Sequence, residues 1–158
     1  GWLLSLEEIR LGSRRLPVAR APALMDTGST LLAAPESEAN ALAAALGARA
    51  RTDRLYTIPC EKVPSLPVIH LVLGGGRGSW TLSIPPTSYV LLDGFSGHRH
   101  VRSCILALSA KRPGRLRRGA SQSKWVLGCS VLGQCQTAFD AQRWRIGFAR
   151  PAAVEGSP

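Results

Sequence analysis

The stretch Ala23–Pro35, with the sequence ALMDTGSTLLAAP, sets a single carboxylate between two apolar runs. A strand through the residues before Asp26 would bring this side chain to the strand end, where Gly28 permits a sharp turn and a close approach of backbone amides. Thr27 and Ser29 add hydroxyl donors, so the segment predicts an ionised carboxylate held in a fixed orientation. The tripeptide taken alone also fits an ordinary turn, because Asp and Gly are common turn residues.

The segments on either side of this stretch predict a β-rich domain with two short helices. The clearest helix is predicted at residues 36–48, where Pro35 stands at the start, Gly47 stands at the end, and Leu42 and Leu46 define a buried face. Residues 125–135 predict a buried strand that turns at Gly128 into the second helix. Other strands or extended segments are predicted at residues 2–11, 16–26, 54–60, 66–75, 79–92, 104–110, 137–140 and 143–149.

Length and composition favour one globular domain. The chain has 158 residues, of which 45% are hydrophobic, and this fits a packed domain rather than a disordered chain. No apolar run reaches about 18 residues, so a membrane-spanning helix is not expected.

The net charge of the chain is +10, and much of this excess lies in one segment, the basic loop at residues 111–124. A solvated surface loop is the favoured interpretation of this segment, and a surface for an anionic partner is the alternative. The sequence RLRR within it also resembles a processing-protease site, which we weigh below a solvated loop. The cations of the basic loop are Lys111, Arg112, Arg115, Arg117, Arg118 and Lys124.

Five segments, in order along the chain, resemble the C-terminal lobe of the pepsin-like aspartic proteases. The opening GWLLSLEEIRLGS resembles the strand pair that begins that lobe, and LMDTGSTLLAAP resembles its active-site motif. The segments that follow in the same order are YTIPCEKVPSLPVIHLVLGG, WTLSIPPTSYVLL and KWVLGCSVLGQCQTAFDAQRWRIGFARP. The resemblance implies an all-β, pepsin-like lobe at residues 1–151, closed or partly open like a barrel and with short helices, and a frayed tail at residues 152–158.

The resemblance also implies roles for the residues of the active-site loop. Asp26 would be one of two catalytic aspartates. Thr27 would form hydrogen bonds across to the other lobe, and Gly28 and Ser29 would line the cleft beside the substrate backbone, with Thr30 in the same loop.

Further along the chain, the resemblance implies a supporting strand and a disulfide. Val126, Leu127 and Gly128 would form the apolar strand beneath the catalytic loop. Cys60 and Cys104 would form the disulfide of the lobe, which requires an oxidising compartment.

Two cysteines depart from the family pattern in the closing segment. Cys129 stands where the family often has an acidic residue, and Cys135 stands where an aromatic residue is common. Six residues along a helix is the wrong spacing for a bond between them, so we expect both to be buried thiols. Asp140 is expected to have a structural role in the closing hairpin.

Aspartic protease chemistry needs two carboxylates that share one proton and activate a water molecule, without a metal or an organic cofactor. The settings of Asp53, Asp93 and Asp140 do not resemble that of Asp26, so no second catalytic aspartate is expected within this chain. The favoured interpretation is the C-terminal lobe of a longer two-lobed enzyme. Pairing with a second copy of the chain and a degenerate, inactive lobe are the alternatives.

The expected substrate is a polypeptide, cleaved at acid pH in a secreted or endomembrane-lumen setting, with no nucleic-acid partner. A different class of function is a binding module that holds an anionic partner through residues 111–118 while the cleft is unused. Serine or cysteine hydrolase chemistry is disfavoured, because the chain lacks a Gly-x-Ser-x-Gly elbow although it contains His70, His98 and His100. A phosphate-binding loop at residues 74–78 is also disfavoured, because no Lys-Ser/Thr pair or helix follows the glycines.

Overall fold

The structure is a computed structural model that describes residues 1–74, 78–93, 103–111 and 124–151. Predictions for His98, His100, most of the basic loop, the centre of the 74–78 turn and the 152–158 tail lie outside the described residues. Within the described part, strands dominate and the helices are short, which confirms the expectation of an all-β pepsin-like lobe. None of the helices in this part is long and apolar enough to cross a membrane.

The regular elements are numbered in chain order. The helices of the described residues are α1 (Glu36–Ala45), α2 (Pro86–Tyr89) and α3 (Cys129–Leu132), together with a 3-10 helix at Cys60–Ser65. The strands of the same residues are β1 (Trp2–Leu11), β2 (Arg14–Arg15), β3 (Ala21–Met25), β4 (Leu32–Pro35), β5 (Arg49–Ala50), β6 (Tyr56–Pro59), β7 (Ile69–Gly74), β8 (Ser79–Ile84), β9 (Val90–Leu92), β10 (Ser103–Leu106), β11 (Leu108–Lys111), β12 (Trp125–Leu127), β13 (Gln136–Asp140) and β14 (Arg145–Ala149).

A central sheet with the strand order β11-β4-β12-β3-β1-β7-β8 carries the 26–31 loop, and β2 extends it beside β1. β12 lies between β3 and β4, parallel to the first and antiparallel to the second. A strand from near the end of the chain is therefore inserted between the two strands that flank Asp26. A second sheet has the order β5-β6-β10-β9, and β13 pairs with β14 as a separate ribbon.

Helix α1 covers the end of the central sheet at β4 and β11. It begins after Pro35 and ends before Gly47, whose φ of +74° is a left-handed conformation that glycine adopts without strain. Leu42 and Leu46 are 1% and 5% exposed, as their spacing predicted. Burial of these leucines against the sheet contributes most of the stability of so short a helix.

Aromatic contacts attach the β13–β14 ribbon to the central sheet. The ring centroids of Trp2 and Phe139 lie 5.3 Å apart, and those of Trp80 and Phe148 lie 6.1 Å apart. Asp140 has the structural position expected of it at the ribbon turn. Hydrogen bonds from the side chain of Arg145 and the backbone N–H of Arg143 hold the pKa of the Asp140 carboxyl below its ordinary value.

The prediction of one strand at residues 104–110 was wrong, because the chain crosses between the two sheets at Ala107. The N–H of Ala107 donates to the carbonyl of Tyr89 at 2.8 Å, and its carbonyl accepts from Leu32 at 3.0 Å. β10 therefore belongs to the second sheet, whereas β11 pairs with β4 in the central sheet.

The predictions of single strands at residues 79–92 and 54–60 were wrong where each segment contains proline. Pro86 opens α2, since its fixed φ suits the first turn of a helix. Tyr89 at the end of α2 donates to the carbonyl of Pro67 at 2.6 Å, and burial raises the pKa of Tyr89 to about 12. β6 ends at Pro59, and a 3-10 helix follows that was not predicted.

The structure confirms one cysteine prediction and contradicts the other. Cys60 and Cys104 form a disulfide that joins the 3-10 helix to β10. The expectation that Cys129 and Cys135 are both buried was wrong, because Cys129 is exposed and Cys135 is half-buried. Cys129 begins α3 at the surface, and Cys135 lies beyond that helix, where its Sγ is 3.5 Å from Thr137 Oγ1.

Removing the disulfide through Cys60→Ser should lower the free energy of unfolding by about 2–4 kcal/mol, because the bond closes a long loop and restricts the unfolded chain. The bond joins residues 44 positions apart. Urea unfolding of the variant and the parent protein measures the loss. Cys135→Ser is the control and should leave the parent value nearly unchanged, whereas an equal loss in both variants would contradict this role for the bond.

Candidate active site

Asp26 follows β3 directly, and its backbone and side chain are both anchored. Its N–H donates to the carbonyl of Leu127 at 3.1 Å, which joins the loop to the inserted strand. Its Oδ1 accepts from the N–H of Gly28 at 3.0 Å, and its Oδ2 accepts from the hydroxyl of Ser29 at 2.8 Å. The carboxylate therefore has one local donor on each oxygen and keeps free lone pairs for a further partner.

The close approach of Gly28 to the carboxylate depends on the missing side chain. A Cβ at this position would lie 3.2 Å from Oδ1 of Asp26, tighter than most real Cβ contacts. Asp26 is half-buried, whereas Thr27, Gly28 and Thr30 are exposed around it. The arrangement presents one oriented carboxylate, framed by accessible backbone and hydroxyl groups, at the surface of the described residues.

Backbone hydrogen bonds from the start of α3 hold the far side of the loop. The N–H of Cys129 donates to the carbonyl of Ser29 at 2.8 Å, and the N–H of Ser130 donates to the carbonyl of Thr30 at 3.0 Å. The first N–H groups of a helix have no partner within the helix, so these two are available to the loop. Sequence reasoning missed this role of Ser130, although the predicted turn at Gly128 was the available signal.

Gly128 lies in tight contact with the backbone of the loop. A Cβ on Gly128 would lie 2.5 Å from the backbone oxygens of both Ser29 and Leu31. Real Cβ atoms essentially never approach backbone oxygens so closely, so only glycine fits here. Leu127 is buried beside it, while Val126 is half-buried and pairs with Leu24 on one side.

The thiol of Cys129 also contacts the loop. Its Sγ lies 3.3 Å from the carbonyl oxygen of Thr27 and is oriented as a weak donor to it. The side chain that stands in place of an acidic residue therefore contacts the loop backbone at the edge of the site. No signal in the sequence distinguished this exposed contact from a buried thiol.

The other predicted groups lie elsewhere in the fold. The Cys60–Cys104 bond joins the 3-10 helix to β10 of the second sheet. Asp53 and Asp93 form ion pairs with Arg51, and Asp140 is engaged in the ribbon turn. Among the described residues no group of three or more His, Cys, Asp or Glu side chains is placed to hold a metal ion.

Comparisons with known proteins found similar sequences over nearly the whole chain. A model of the eukaryotic aspartyl protease family matches residues 1–151. Cathepsin D of Rattus norvegicus is 32% identical over 154 residues, which cover 97% of this chain and 35% of that protein. Renin-2 of Mus musculus is 33% identical over 149 residues, which cover 94% of this chain and 34% of that protein. The chain thus spans about a third of the length of the relatives that it matches.

Gly128→Ala should disrupt the loop, since the added methyl group would collide with two backbone oxygens. We expect a loss of stability of more than about 2 kcal/mol, as for other overpacked or strained positions. Thermal unfolding measures the loss. Gly147→Ala is the matched control, because a Cβ there would meet only Ala138 at an ordinary 3.8 Å. Equal melting temperatures for the two variants would contradict the close packing at Gly128.

Proposed function

Because the chain belongs to the eukaryotic aspartyl protease family, we propose that residues 1–151 are the C-terminal lobe of an aspartic endopeptidase. In this proposal Asp26 is one of two catalytic aspartates, and the second aspartate comes from outside the chain. The observation that supports it most directly is the carboxylate of Asp26, which is held by Gly28 and Ser29 and open to a further partner.

The chemistry needs a second carboxylate close enough to share one proton with Asp26. Together the two would bind a water molecule, and the ionised member would take a proton from it as the water oxygen attacks the peptide carbonyl carbon. The protonated member would give its proton to the carbonyl oxygen, which forms a neutral tetrahedral diol. Transfer of a proton to the amide nitrogen then lets the C–N bond break and releases an acid and an amine.

The neighbours of Asp26 would have supporting roles. Thr27 is exposed at the loop tip, where it can form hydrogen bonds with a facing lobe. The accessible backbone of Gly28 and the side chains of Ser29 and Thr30 would bind the extended backbone of a polypeptide substrate. Val126, Leu127 and Gly128 would keep the loop in place from below.

A second lobe is the favoured source of the missing carboxylate. The relatives are about three times the length of the matched region, which leaves room in each for another unit of similar size. We propose that the protein is secreted or resides in an endomembrane lumen, since the Cys60–Cys104 disulfide persists best under oxidising conditions. Cleavage at acid pH is proposed with it.

The test is cleavage of an unfolded protein substrate at about pH 4, a pH at which a carboxylate pair can hold a single proton. The chain is assayed over a wide range of concentrations, alone and with the N-terminal lobe of a two-lobed pepsin-like protease. Under the proposal, activity appears when the second lobe is added and is lost with Asp26→Asn. Asp53→Asn is the matched control and should retain activity, because Asp53 pairs with Arg51 away from the loop.

Other outcomes separate the alternatives. Activity of the chain alone that rises faster than linearly with concentration would indicate a pair of identical copies. An Asp26→Asn variant as active as the parent would contradict the proposed role of Asp26. A folded chain that cleaves nothing, either alone at high concentration or with the second lobe, would contradict the protease proposal. Binding to an anionic partner that weakens steeply with salt would then favour the binding module.

A further inference from the structure

Glu38, in the first turn of α1, is joined to the inserted strand by one short hydrogen bond. Trp125 is fully buried, and its Nε1–H donates to Oε2 of Glu38 at 2.6 Å. A buried indole N–H needs an acceptor, and a carboxylate is a stronger acceptor than a neutral oxygen. The bond therefore fixes the start of β12 relative to the helix.

From Trp125 the connection runs along a strand of only three residues. Trp125 and Leu127 pair with Ala23 and Met25 of β3, and the carbonyl of Leu127 accepts the N–H of Asp26. No turn or glycine separates Trp125 from Leu127, so we expect a shift of the indole to be transmitted along the strand backbone. The same strand continues into Gly128, which packs against the loop from below.

We propose that Glu38 is a positioning residue for Asp26, which acts by fixing Trp125 and, through β12, the backbone of Asp26. The inference deepens the proposed function, because the catalytic role of Asp26 is itself a proposal. The placement of the loop can nevertheless be measured without any cleavage.

The environment of Glu38 makes its titration a usable probe. Burial raises the pKa of Glu38 above its ordinary value, and the hydrogen bond from Trp125 opposes this rise in part. Glu38 therefore takes up a proton at a higher pH in the folded protein than in the unfolded chain. Protonation replaces a charged acceptor by a weaker neutral one, which should loosen the indole bond. Among the described residues, no ion pair joins Glu38 to the cations Arg49, Lys111 or Lys124 near α1. Glu36, in the same turn of the helix, carries a charge of the same sign.

The experiment follows two N–H signals by nitrogen-15 NMR as the pH is lowered from neutral to about pH 3, below the ordinary glutamate value of about 4.3. The Asp26→Asn background is used, so that the amide at position 26 does not report its own carboxylate. We expect the indole N–H of Trp125 and the amide at position 26 to shift with a common midpoint above the ordinary glutamate value. Adding Glu38→Gln should abolish both steps, while the matched control Glu36→Gln should leave both.

Three results would overturn the inference. A step at the Trp125 indole with none at position 26 would show that Glu38 only supports the helix. A step at position 26 that survives Glu38→Gln would assign the coupling to another group. If Glu38→Gln does not fold, Trp125→Phe removes the same hydrogen bond without any change in charge, and a persistent step at position 26 would again overturn the inference.

The readout also separates this inference from the protease proposal. A chain that cleaves nothing but shows the common step retains the positioning by Glu38. A chain that is active with a second lobe but lacks the common step retains the protease proposal and loses this inference.

Discussion

The hydrogen bond from the N–H of Asp26 to the carbonyl of Leu127 is the interaction on which the rest of the site depends. It exists because β12 lies between β3 and β4, the two strands that a local hairpin would otherwise pair directly. Separating these strands opens the loop that carries Asp26 and supplies backbone donors and acceptors from beneath. The orientation of the carboxylate is therefore a property of the sheet topology as much as of the Asp-Thr-Gly sequence.

The hydrogen-bond donors around Asp26 leave part of the acceptor capacity of its carboxylate unused. A carboxylate in a folded protein is stabilised by donors on both oxygens, and Asp26 has one on each, from Gly28 and Ser29. Its half-buried position lowers the screening by water without removing access. Such a group can accept a further hydrogen bond at low cost, which is what a shared proton or a bound water requires.

Local patterns predicted the elements whose ends carry their own signals. Pro35 and Gly47 bounded α1, and Gly128 marked the end of β12, because proline and glycine act on the backbone at their own positions. The crossover at Ala107 could not be predicted, since the run from Cys104 to Ala110 contains neither proline nor glycine although its two halves join different sheets. The exposure of Cys129 depends on packing of the loop against α3, which no single segment encodes. The insertion of β12 between β3 and β4 was not visible in any spacing, and only the resemblance to a family implied that Val126–Gly128 lie beneath the loop.

The inserted strand also has a consequence for how the chain acquires its structure. β3 and β12 are separated in sequence by about a hundred residues, and contacts of such long range form late, since closing so large a loop is entropically costly. During synthesis from the N-terminus, the loop around Asp26 leaves the ribosome long before β12 exists. The carboxylate thus stays unorganised until β12 has been made, so a product truncated or stalled before Trp125 would contain the aspartate without its supporting strand.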